Sequence, residues 1–138
     1  MKCFIVDSPG IDGIRNPLRE FNFAHLGTLQ DLTLGCFAET DEGGRIGGVS
    51  ARIWGEWLLI SYMWVDKGKQ GGGVGSKLLS LLEEEAKKRG CKAAMVDTLS
   101  FQAKPFYEKH GYQCRMTIDD YPVSHKLHFL TKSLISTP

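Results

Sequence analysis

Gln70-Gly71-Gly72-Gly73-Val74-Gly75-Ser76 is the stretch on which the reading of this chain turns. Glycine at 71, 72, 73 and 75 removes the Cβ atoms that would hold a ligand away from backbone N–H groups. It also permits the φ > 0 turns that aim several N–H groups at one point. Val74 to Arg89 carry a helical pattern, so the loop ends at the positive end of a helix dipole, a natural anion site. A phosphate-bearing ligand is expected here.

Two familiar phosphate loops do not fit. A Walker loop places lysine and then a hydroxyl residue after its last glycine, whereas this chain has Gly75-Ser76-Lys77. The dinucleotide pattern G-x-G-x-x-G fails as well: counted from Gly71 the sixth residue is Ser76, and from Gly73 it is Leu78. Both motifs sit in short parallel βαβ units, but three strands in hairpin order precede this loop.

Outward from the loop, the helix carries Val74, Leu78, Leu82 and Ala86 every four residues, with Leu79 and Leu81 widening the stripe. Glu83/Lys87, Glu84/Lys88 and Glu85/Arg89 read as surface i,i+4 pairs, and Gly90 ends the helix. Upstream, Leu32–Thr40 and Arg45–Trp54 form a hairpin around Asp41-Glu42-Gly43-Gly44, and Gly55-Glu56 turns into Trp57–Val65. The near-continuous apolar character of Trp57–Val65 predicts burial on both of its faces. Residues 2–6 read as a first strand, followed by one or two short helices around Leu18–Leu26. Downstream, Lys92–Thr98 is a strand parallel to the one before the loop, because a helix crosses between them. A helix with Pro105 in its first turn then ends at Gly111, and strands follow at Tyr112–Ile118 and about Lys126–Leu134. The fold class is α/β in the mixed α+β sense, and residues 1–138 form a single domain.

The loop matches Q/R-x-x-G-x-G/A after a long apolar strand, through Gln70, Gly73 and Gly75. A second segment, Ala103-Lys104-Pro105-Phe106-Tyr107-Glu108-Lys109-His110-Gly111-Tyr112, reads A-x-x-x-Y-x-x-x-G-[FY]. In this order, with one helix and one strand between them, the two segments resemble the signatures of the GNAT acyl-CoA N-acyltransferases. The resemblance runs from about Leu32 to the C-terminus. It implies the GNAT fold, a central mixed and mostly antiparallel sheet flanked by helices. It also implies an acetyl-CoA-dependent N-acetyltransferase in which an amine attacks the thioester directly, within a ternary complex.

The same resemblance implies roles for particular residues. The pyrophosphate of acetyl-CoA would rest on backbone N–H groups of Gly71, Gly73, Gly75 and Ser76. Pantetheine would pair with strand backbone at Met63 and Val65, and an N–H near Met63 would hold the thioester carbonyl. Tyr107 would be the general acid that protonates the departing thiolate, since a phenol is protonated at neutral pH. Many members carry an asparagine where this chain has Ser100, which would either bond pantetheine or cap the next helix. Many members also form a homodimer through their C-terminal strands.

The general base stays open among Glu56, Asp66, Glu108, His25, His110, His125 and the Asp119-Asp120 loop. Acceptor clues are Trp54, Trp57, Tyr62, Trp64 and Tyr121, read either as cleft or as core, with Asp119 and Asp120 suited to a cationic amine. A small-molecule amine and a protein amine are both open as acceptors. A non-catalytic CoA-binding or regulatory module on the same fold, and a nucleotide-phosphate binder, are the competing readings.

Bulk properties narrow the field. The net charge is +1, and no basic run exceeds Lys87-Lys88-Arg89, so no electrostatic footprint of nucleic acid or membrane is present. Trp57–Val65 is too short to span a bilayer, and the N-terminal residues lack the apolar run of a signal peptide. Cys3, Cys36, Cys91 and Cys114 are scattered without metal-ligand spacing, which predicts no metal site and reduced thiols in the cytoplasm.

Overall fold

The computed structural model describes residues 1–135. Six strands form one sheet: β1 (Asp31–Glu39), β2 (Arg45–Trp54), β3 (Trp57–Val65), β4 (Ala93–Leu99), β5 (Gln113–Ile118) and β6 (Leu127–Ser133). Their order is β1-β2-β3-β4-β6-β5. Every neighbouring pair is antiparallel except β3–β4, the pair joined through a helix. The α-helices are α1 (Asp12–Leu26), α2 (Val74–Lys88) and α3 (Lys104–Lys109).

Strand alternation and the helical stripe meet on one side of this sheet. Leu78, Leu79, Leu82 and Ala86 of α2 are buried in one cluster with Val49, Ala51 and Ile53 of β2 and Leu58 and Ile60 of β3. Burying a leucine side chain stabilises by roughly 1.5–3 kcal/mol, so this layer anchors the helix that follows the glycine loop. Gly47 leaves room beneath it: an added Cβ would lie 3.0 Å from the Val74 side chain and 3.1 Å from that of Leu78, so these would have to shift.

Glu83 departs from the surface pairing expected of it. Lys87 pairs instead with Glu84, at 3.2 Å. Glu83 turns inward, accepts a hydrogen bond from the Tyr112 hydroxyl at 2.6 Å and receives Lys132 Nζ of β6 at 2.8 Å. Its position explains this, since it lies one turn from Leu79 and from Ala86, inside the apolar stripe.

Three other expectations are corrected. Residues 2–6 form no strand; Phe4 and Ile5 are exposed, and the segment pairs with no sheet edge. The region around Leu18–Leu26 is one helix of 15 residues that begins at Asp12 and carries Pro17 inside it. β3 is buried on one face only, because α2 lies against one side and, among the described residues, no helix covers the other; Trp57, Tyr62 and Trp64 are exposed there.

Candidate active site

β3 and β4 pair over only four positions, Trp57–Ala93 to Ile60–Val96, and then part. A register shift in the β2–β3 ladder falls at the same level: Ala51 faces Ile60 while Ser50 faces Tyr62, leaving Ser61 over. Such a bulge bends and twists the strand that carries it. The gap that opens beyond Ile60 and Val96 holds a cavity of about 1140 Å³.

One side of the cavity is built from backbone. Gly71 and Gly73 adopt φ of 86° and 84°, conformations that favour glycine, and Gly73 is the N-cap of α2. The N–H groups of Gly71, Gly73, Val74, Gly75 and Ser76 have no backbone acceptor among the described residues. Together they form a cradle of free donors at the positive end of a helix dipole. An added Cβ at Gly75 would sit 3.3 Å from the Phe106 ring, so this turn is packed against α3. The Ser76 hydroxyl lies 2.9 Å from His110 Nε2, joining the two helices that meet at the loop. Gln70 donates from Nε2 to the Val65 carbonyl at 3.3 Å, and Lys69 and Lys109 bring positive charge to the rim.

The Tyr107 ring is buried, and its hydroxyl has no hydrogen-bond partner among the described residues. Burial first, and the charge of Asp97 second, push its phenol up to about 12. Tyr112, five residues on, is raised far further by burial and by its bond to the Glu83 carboxylate. Of these two buried tyrosines, Tyr107 is the one that lines the cavity, and among the described residues no group accepts its proton.

Met63, Val65, Gln70, Gly71, Gly73, Gly75, Ser76 and Tyr107 are therefore brought together around one space. Ser100 is not. Its hydroxyl accepts the Lys126 N–H at 3.2 Å, and its own N–H goes to the Lys126 carbonyl at 2.8 Å, tying the end of β4 to the approach of β6. The start of α3 is met by another side chain, since Thr98 Oγ1 accepts the Ala103 N–H at 3.2 Å; Gln102 Oε1 accepts the Leu99 N–H at the end of β4 at 2.7 Å.

None of the acids and histidines weighed as bases lines the cavity. Glu56 pairs with Lys92, Glu108 with Lys104 and Asp119 with Lys126. Asp66 accepts the Lys67 N–H, His25 lies on α1 against the Phe21 carbonyl, and His125 stands edge-on to Phe101. The carboxylate that does line the cavity is Asp97 of β4, at the first position beyond the β3 pairing and beside Phe129 in register. Its signal in the sequence is slight: one charge in the otherwise apolar or small run Ala93–Leu99. Tyr62 and Tyr121 share the cavity wall, whereas Trp54, Trp57 and Trp64 stand on the open face of the sheet.

The family described as Acetyltransferase (GNAT) domain matches residues 33–114. The chain is 36% identical over 99 residues to blasticidin-S acetyltransferase of Streptomyces morookaense, covering 71% of this chain and 73% of that protein. The crystal structure of an acetyltransferase from Bacillus cereus ATCC 14579 superposes with a TM-score of 0.86 at 32% identity, over 95% of this chain and 97% of the other. An aminoglycoside 6'-N-acetyltransferase complexed with coenzyme A shares the fold, with a TM-score of 0.69 at 17% identity over 77% of this chain and 75% of its own. With these matches spanning both signature segments and the cavity between them, the chain belongs to the GNAT family of acetyltransferases.

Proposed function

We propose that this protein is an acetyl-CoA-dependent N-acetyltransferase that moves the acetyl group to a primary amine by direct attack in a ternary complex. The observation that carries this reading is that one cavity joins a cradle of free N–H groups, a buried phenol with an uncommitted proton, and a carboxylate. The open N–H groups of Gly71, Gly73, Gly75 and Ser76 suit the pyrophosphate of the donor, with Lys69 and Lys109 adding charge at the rim. The edge of β3 at Met63 and Val65, left unpaired where β4 parts from it, suits pantetheine as an added strand.

Asp97 is the group that meets the acceptor. Its carboxylate attracts a cationic amine and takes the ammonium proton, leaving the nitrogen lone pair free to attack the thioester carbonyl. A backbone N–H near Met63 stabilises the oxyanion as the C–N bond forms. Tyr107 gives its proton to sulfur as the C–S bond breaks. A phenol held at about 12 is a weak acid, and the charge of Asp97 is one cause of that. Pairing or protonating Asp97 removes this charge, so arrival of the acceptor makes Tyr107 a better donor at the moment its proton is needed.

Thiol release from acetyl-CoA across an amine panel tests the reading, with Tyr107→Phe and Asp97→Asn run beside the wild type. The likeness to an enzyme named for blasticidin-S supports placing that compound first in the panel. Amine-dependent release that falls in both variants is the expected result. CoA binding without release for any small or peptide amine would favour a non-catalytic CoA-binding module.

A further inference from the structure

Among the described residues, one helix and one sheet face have no other element packed on them. The strand register puts Phe37, Trp54, Trp57, Tyr62, Trp64 and Met116 on the side away from α2, between 39% and 79% exposed. α1 has no buried residue at all. Its Ile14, Leu18 and Phe21 form an exposed apolar stripe, and Phe23 projects from roughly the opposite side at about 100° per residue. Monomeric proteins rarely leave a contiguous apolar patch beyond a few hundred Å².

The whole surface tells the same story. A compact monomer of 15.4 kDa exposes about 7,200 Å². This chain exposes 9970 Å², a surplus of roughly 2,800 Å². A standard interface takes about 800 Å² from each partner, so the surplus is on the scale of an obligate dimer. The root of α1 is fixed: Gln30 donates to the Gly55 carbonyl at 3.1 Å and the Arg89 carbonyl at 2.7 Å, and its own carbonyl accepts the Gly55 N–H at 2.9 Å. The connection from Gly27 to Gln30 reaches at most about 14 Å. A held root and an unpacked apolar arm are the arrangement of an exchanged element.

We infer that two copies of the chain form a two-fold dimer in which α1 of each lies across the bare sheet face of the other. A single helix about 10 Å wide cannot cover six strands about 4.8 Å apart, so folding α1 back on its own sheet leaves much of the face open and Phe23 bare. Between two copies, the Ile14–Leu18–Phe21 stripe meets the partner's sheet while the Phe23 side turns toward its own chain. The bare face includes Tyr62, which lines the cavity beside Asp97, so the partner's arm also walls the acceptor side of the cleft. That last clause rests on the acetyl-transfer reading; the dimer itself does not.

Sedimentation and tryptophan emission of the full chain test this together, because all three tryptophans lie on the bare face. The expected species has twice the 15.4 kDa mass, with blue-shifted emission that moves red as dilution dissociates it. Leu18→Asp/Phe21→Asp on the arm and, separately, Phe37→Asp on the sheet are expected to give folded monomers with red-shifted emission. Their acetyl-CoA Kd stays within about twofold, while amine kcat/KM falls at least about tenfold. A monomeric wild type overturns the proposal. So does a dimer that survives the arm substitutions, or blue-shifted emission that ignores dilution, which means the arm closes on its own sheet. If no amine is acetylated, sedimentation and emission still decide the dimer, and only the reading of the cleft fails.

Discussion

The two faces of the sheet are written with the same alternation and end in opposite states. On the side of α2, Ile53, Leu58, Leu79 and Leu130 are fully buried, and the buried carboxylate of Glu83 is matched by Lys132 and Tyr112. On the other side stand three tryptophans and Tyr62, exposed, with Asp97 among small and apolar neighbours. The closed face holds the fold together. The open one carries the surface to which the acceptor and a second copy are proposed to bind. Stability should therefore respond mainly to substitution on the closed side, and use of the acceptor mainly to substitution on the open one.

The largest effect belongs to the closed face. Glu83→Ala leaves Lys132 and the Tyr112 hydroxyl without their partner and should cost about 3–5 kcal/mol in denaturant unfolding. A loss below about 1 kcal/mol would mean that this cluster is better solvated than its burial implies. Alkaline pH comes next. The Tyr107 phenol titrates at about 12 when folded against 10.0 unfolded, so the folded state holds its proton more tightly. The resulting stability is complete below pH 10 and is lost as pH rises through about 12, on the order of 2–3 kcal/mol. Unfolding curves from pH 9 to 12 should show the wild type losing stability faster than Tyr107→Phe; parallel decline would sink the assignment.

Smaller effects sharpen the contrast at the cleft. Tyr107→Phe should lower kcat at least about tenfold, with acetyl-CoA binding unchanged, because only the proton is removed. Unaltered turnover would take Tyr107 out of the mechanism. Gly73→Ala must hold an alanine at φ of 84°, which costs roughly 1–2 kcal/mol. Calorimetry should find acetyl-CoA binding weakened about five- to thirtyfold at the cradle, with the amine KM little changed. On the open face, Tyr62→Ser should lower acceptor kcat/KM while costing far less stability than Glu83→Ala. A stability loss as large as that of Glu83→Ala would erase the distinction between the faces.

The half of the site made from backbone was legible in the sequence because backbone chemistry leaves a compositional mark. Free N–H groups, left-handed turns and a helix start require glycines in a particular place, and Gly71 and Gly73 have the positive φ that such a loop demands. The spacing of Tyr107 to Gly111 marked a residue that the structure places at the cavity. The rest of the side-chain half was not legible. A lone aspartate in a strand looks the same whether it points into water or into a gap, and only the early end of the β3–β4 pairing gives Asp97 a cavity to line. The apolar run of Trp57–Val65 reads as doubly buried because composition does not say whether a second layer exists. Glu83 looked like one of three surface pairs, yet its place between Leu79 and Ala86 carried the better clue. Ser100 sits at the spacing of a pantetheine contact, but it lies outside the cavity lining, where its hydroxyl accepts the Lys126 N–H.

The short pairing of β3 with β4 has a mechanical consequence. The sheet is two plates, β1-β2-β3 and β4-β6-β5, sewn by a seam of four residue pairs. Beyond that seam the plates are held by the core packed under α2 and by polar latches such as Glu83 of α2 gripping Lys132 of β6. A molecule threaded between the plates takes the place of the missing stitches. Its binding then works as a clamp on the fold, adding about 2.7 kcal/mol of stability at a hundred times its Kd.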